Sequence, residues 1–120
     1  MNTGYLRVAL VSAALMCAVG TAARAELPSE DAIKSAKTPE QHQAIADAYT
    51  KEAQSLQAQA DGHRHMDAWY SEPGYRSNKL GFPRHCRALT QSLTAAAKEA
   101  ESLGKAHQTM ADAAMKTKMK

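Results

Sequence analysis

From Glu40 to Asp61 the chain contains neither proline nor glycine, and distinctive residues recur there at alternating spacings of four and three. His42, Ala46, Tyr49, Ala53, Leu56, Ala60, His63, Asp67 and Tyr70 follow this rule without a gap. A mean period of 3.5 residues is the signature of a helix presenting one narrow stripe to a partner helix. A second series obeys the same rule: Phe82, Cys86, Leu89, Leu93, Ala96, Ala100, Leu103, His107, Met110 and Ala114. Two such segments of similar length predict an all-α fold, a long antiparallel two-helix hairpin with a coiled-coil-like seam.

The boundaries are marked by local chemistry. Thr38-Pro39-Glu40-Gln41 is a helix start: Thr38 can cap, Pro39 needs no N–H at the first position, and Gln41 completes a capping box. Residues 71–82 hold Pro73-Gly74 and Gly81, and Pro83 follows, so this stretch is expected to be the loop between helices over 39–70 and 83–115. Gly104 lies inside the second helix, at about 1 kcal/mol relative to alanine. The hairpin domain spans 38–120, and the polar stretch 26–37 is expected to be a flexible tether.

The first 25 residues read as a secretory signal peptide. Arg7 supplies the positive end, Val8 to Gly20 is an apolar run too short to span a bilayer comfortably, and Ala23-Arg24-Ala25 offers a cleavage site before Glu26. A retained anchor is the rival reading, and Met16 before Cys17 makes a poor lipoprotein signal. After cleavage no transmembrane segment is expected, and the location is the periplasm or the exterior. Without Arg7 and Arg24, the 15 basic residues fall to 13 against 12 acidic ones, so nothing supports nucleic-acid binding. Every valine (Val8, Val11, Val19) leaves too. The rest, rich in Ala, Gln, Lys, Glu and Leu, favours helix over sheet. Cys86 is left as a single thiol with three readings: an intermolecular disulfide, a metal ligand or a buried inert side chain.

Folding the chain about Gly74 and Tyr75 pairs residues whose numbers sum to 149. Ala46 then faces Leu103, Tyr49 faces Ala100, Leu56 faces Leu93 and Ala60 faces Leu89, so large residues mostly meet small ones. The same register sets His42 beside His107 and His63 beside Cys86. A faint repeat accompanies it: His42 to Tyr49 recurs as His63 to Tyr70, and His107 to Ala113 echoes both.

Two constellations carry possible chemistry. Near the loop, His63, Met66, His85 and Cys86 combine imidazole, thiolate and thioether, which suits copper(I), with zinc possible through His and Cys. About 30 Å away along the helix, from the 1.5 Å rise per residue, His42, His107 and Met110 form a sparser set. Each has an ordinary packing reading beside it. Asp67 is the only acid on either seam, and no nucleophile, base and acid stand at recognisable spacing, so no catalytic residue is assigned.

The run Thr38 to His42, His63 to Tyr70, His85 to Leu89 and Ala106 to Ala111 resembles a group of small exported bacterial proteins. That resemblance implies an envelope setting and a helical hairpin, and it supplies no activity. Two functional expectations follow: a structural or interaction protein that pairs with itself or with another envelope protein, or a small periplasmic copper- or zinc-binding protein. Because an alanine-rich seam buries little apolar area, two hairpins are expected to associate into a four-helix bundle that covers Ile45, Met66 and Trp69.

Overall fold

The computed structural model describes residues 26–75 and 79–120; the expected signal peptide lies outside them. Three helices follow one another: α1 (Glu30–Ser35), α2 (Pro39–Tyr70) and α3 (Phe82–Lys118). α2 and α3 pack along each other as the expected all-α hairpin. At 1.5 Å per residue they run about 48 and 55 Å.

α2 starts where the sequence says it must. Thr38 Oγ1 accepts the Gln41 N–H at 3.2 Å, while Gln41 Oε1 accepts the N–H groups of Thr38 and Lys37 at 3.1 and 2.8 Å. Three amides at the helix entrance are thereby satisfied, and Pro39 occupies the first turn. Beyond Tyr70, the chain turns through Gly74 with φ 89°. Gly81, at φ 77°, then leads into α3 from a left-handed conformation that a side chain would strain.

Two boundaries differ from the sequence expectation. The stretch 26–37 is not simply a tether, because α1 occupies its centre. Ser29 caps α1 by accepting the Ala32 N–H at 3.1 Å, Glu30 and Asp31 suit its positive end, and Lys34 pairs with Glu30. α3 also runs three residues past 115, since Lys116 and Lys118 in its last turn complement the negative helix end. Lys118 Nζ reaches Glu40 at 3.4 Å, linking the last turn of α3 to the first turn of α2.

The seam of α2 is the predicted one: Ala46 and Ala60 are buried and its other members from His42 to Tyr70 are half-buried. The seam of α3 needs a correction. Cys86, Leu93, Ala100, His107 and Ala114 do lie on it, but their partners are Pro83, Thr90, Ala97, Gly104 and Ala111, each one residue after the expected Phe82, Leu89, Ala96, Leu103 and Met110. The small series is buried or half-buried, whereas Phe82, Leu89, Leu103 and Met110 are 41–49 % exposed.

Close approach of two backbones explains the choice. A Cβ on Gly104 would stand 3.3 Å from the Ala46 carbonyl oxygen and 3.3 Å from Thr50 Oγ1. A leucine in the small series would hold the helices apart. Thr90 fits because its hydroxyl is satisfied locally, donating to the Cys86 carbonyl at 2.9 Å and lying 3.4 Å from that of Ala60. No large side chain among the described residues is fully enclosed. Ile45, expected to need a second hairpin to cover it, is already buried on the side facing α1, and the rest of the core is one thin stripe of small residues.

Candidate functional site

The seam carries one polar contact of unusual chemistry. His42 Nδ1 and His107 Nδ1 lie 3.2 Å apart, both rings half-buried. The Tyr49 ring stacks on His107, with centroids 6.2 Å apart and planes 20° off parallel. Two Nδ1 atoms can share a proton only if one ring carries it there and the other presents a lone pair. Burial pushes the His107 pKa below the ordinary imidazole value, and the neighbouring His42 pushes it the same way. Met110 follows His107 by one helical turn but is half exposed.

The loop-proximal set is not gathered in the same way. Cys86 is buried on the seam and unbridged, and His63 Nδ1 is buried without a hydrogen-bond partner. Met66 and His85 are exposed. His85 precedes Cys86 by one residue, which turns it about 100° away from the seam. Among the described residues, no group of three or more His, Cys, Asp or Glu side chains is placed to hold one ion. The expected combination of His63, His85 and Cys86 around a common point is therefore not formed. Nearby, Arg87 donates to Asp67 at 2.9 Å, tying α3 to α2.

Two open grooves among the described residues have ordinary linings. One is bounded by Thr50, Gln54 and Gln57 of α2 and by Lys98 and Glu101 of α3. Another separates α1 from α2, between Ala32 and Ile45.

The most extensive feature is a surface the sequence series had placed in the core. Phe82, Leu89, Ala96, Leu103 and Met110 stand seven residues apart, so they form one stripe along α3. Arg84, Arg87, Lys98, Glu101, Lys105 and Asp112 lie on the opposite side of the seam. The stripe itself is uncharged, and Glu99 is the lone charged residue of α3 on its side. Met66 and the 71 % exposed Trp69 add apolar surface on α2 at the loop end of the hairpin.

That asymmetry is only faintly legible in the sequence. Large apolar residues and small ones run as two heptad series displaced by one residue, and both satisfy the four-three rule. The charges lie opposite the large series and so do not favour the small one; the glycine in mid-helix at 104 is the one local hint that the small series forms the seam.

No protein-family model, curated protein or solved structure matches this chain. Among the described residues, no helix is long and apolar enough to cross a membrane.

Proposed function

We propose that this chain is an exported structural or interaction protein of the cell envelope, acting through the long side of its hairpin rather than through catalysis. The observation that carries this reading is the uncharged stripe from Phe82 to Met110, left on the surface although it lies beside a seam that had no room for it. A run of large apolar residues about 42 Å long, with the helix charges on the other side, marks a surface that another macromolecule covers. The short apolar leader and its Ala-Arg-Ala end support export, and the near balance of charge after cleavage gives no electrostatic partner of one sign.

Photo-crosslinking in cells tests it. A photoreactive residue at Leu89 or Leu103 should give a discrete protein adduct, and one at Gln91 or Lys98 on the charged side should not. No adduct from the stripe, or equal adducts from both sides, overturns the proposal.

A second reading, binding of copper or zinc, is favoured by a different observation. Two metal–nitrogen bonds of about 2.0 Å at a tetrahedral angle place the nitrogens about 3.3 Å apart, and the Nδ1 atoms of His42 and His107 stand at 3.2 Å. Titration with Cu(I) and Zn(II), followed by thermal melting, should raise the wild-type midpoint and leave a His42→Leu/His107→Leu variant unmoved. Equal shifts in both reject this reading.

A further inference from the structure

The stripe on α3 has a symmetry of its own, and we infer that its partner is a second copy of this chain, docked with the two α3 helices antiparallel about Ala96. This inference rests on the interaction reading above and names its partner.

Read from either end, the stripe is the same in kind: large at Phe82 and Leu89, small at Ala96, large at Leu103 and Met110. A two-fold axis at Ala96 sets Ala96 against Ala96 of the second copy. It then sets Leu89 against Leu103, and Phe82 against Met110, in both halves of the contact. Isologous pairing requires this property, since residue i must suit residue j and j must suit i. The narrow point at Ala96 lets the helices approach at the axis, and the leucines on each side fill the layers beyond it.

The neighbouring positions agree. One turn around α3 on the same side stand His85, Ser92, Glu99 and Ala106. The same axis brings Glu99 beside Ser92 of the second copy and His85 beside Ala106. The only carboxylate on this side therefore meets a hydroxyl rather than a like charge, and no acid faces an acid. Arg84, Arg87, Lys98, Glu101 and Lys105 stay on the outer side, in water.

The energetic need points the same way. The intramolecular seam buries alanines and a glycine, with no large side chain fully enclosed among the described residues. Small domains with thin cores depend on oligomerisation, metals or disulfides. A stable interface takes about 800 Å² from each partner. Pairing along α3, with Met66 and Trp69 at the rim, would run about 42 Å from Phe82 to Met110 and convert two hairpins into a four-helix bundle.

Register-specific crosslinking decides it, using protein as recovered from expressing cells and carrying Cys86→Ala. Ala96→Cys alone should form a disulfide-linked dimer on mild oxidation. Leu89→Cys alone should not, and neither should Leu103→Cys alone, but the two mixed should crosslink to each other. Sedimentation at micromolar concentration should show a wild-type dimer, and Leu89→Glu/Leu103→Glu should associate at least about tenfold more weakly with helical circular dichroism retained. A wild-type monomer, or Ala96→Cys crosslinking no faster than Gln91→Cys, overturns the inference. Where the photo-adduct at Leu89 has the mass of a different protein, the homodimer falls while the interaction reading stands. Where no adduct forms at all, both fall.

Discussion

Gly104 lies against the backbone of Ala46, so close that a Cβ at 104 would stand 3.3 Å from the Ala46 carbonyl oxygen. The atom it would meet belongs to a helix backbone and cannot swing aside. Glycine in mid-helix costs about 1 kcal/mol relative to alanine, and close helix approach offsets that cost. Gly104→Ala should therefore give no gain in stability despite its better helix propensity. Gly104→Leu should destabilise by about 2–3 kcal/mol through overpacking. Urea unfolding of the three proteins checks both, and a stabilised Gly104→Ala would show that the helices are not held at this separation.

The entrance to α2 gives a second expectation. Thr38 Oγ1 and Gln41 Oε1 satisfy each other's backbone amides, and Lys37 adds a third donor. Thr38→Ala removes the threonine half of this arrangement and should cost about 1 kcal/mol. The loss is local, so amide exchange should rise at Glu40, Gln41 and His42 while the centre of α2 stays protected. Uniform acceleration along α2 would mean that the helix melts as one unit and that the cap has no separable role.

These two sites show why part of the fold is readable and part is not. Thr38, Pro39 and Gln41 act on their own neighbours, so the sequence contains the whole cause, and α2 begins where it indicates. The four-three spacing likewise follows from helix geometry and yields the hairpin. The choice between Leu103 and Gly104 as the seam residue depends on how near α2 comes, a property of two helices together. Apart from the glycine itself, local pattern does not encode it, and size-matching favours the wrong series by one residue. The same shift moves Leu89 and Met110 from core to surface. The His42–His107 contact survives because both residues belong to the seam series that the two readings share. His85 joins the metal set only as a position flanking the seam beside Cys86, and one residue of helical rotation turns it out to solvent.

Cys86 is 6 % exposed and on the seam, one turn before Thr90, whose hydroxyl donates to the Cys86 carbonyl. A thiol held there should be slow to react with a disulfide reagent under native conditions and fast in denaturant. Native labelling should therefore report opening of the hairpin, and its rate should rise in Gly104→Leu. Rapid labelling of the folded wild type would place Cys86 at the surface and reopen an intermolecular disulfide.

The pair His42 and His107 should make the hairpin acid-sensitive. The His107 pKa is held below its ordinary value, first by burial and then by the nearby His42. Below about pH 6.5, the unperturbed imidazole value, the unfolded chain takes up a proton at this residue that the folded one resists. Unfolding is thus favoured by protons, and stability present at neutral pH is lost as pH falls through the lowered folded value. Protonating both rings would also place two cations where Nδ1 atoms now lie 3.2 Å apart. Thermal midpoints between pH 8 and pH 5, taken at about these limits to bracket the imidazole range, should decline for the wild type. His107→Leu should flatten that decline, since it removes the titrating ring and keeps an apolar group against Tyr49. His65 is exposed and away from both the His42–His107 pair and the α3 stripe, so His65→Gln serves as the control and should leave the slope unchanged. A wild-type midpoint independent of pH across this range would show that the His42–His107 contact is not coupled to folding.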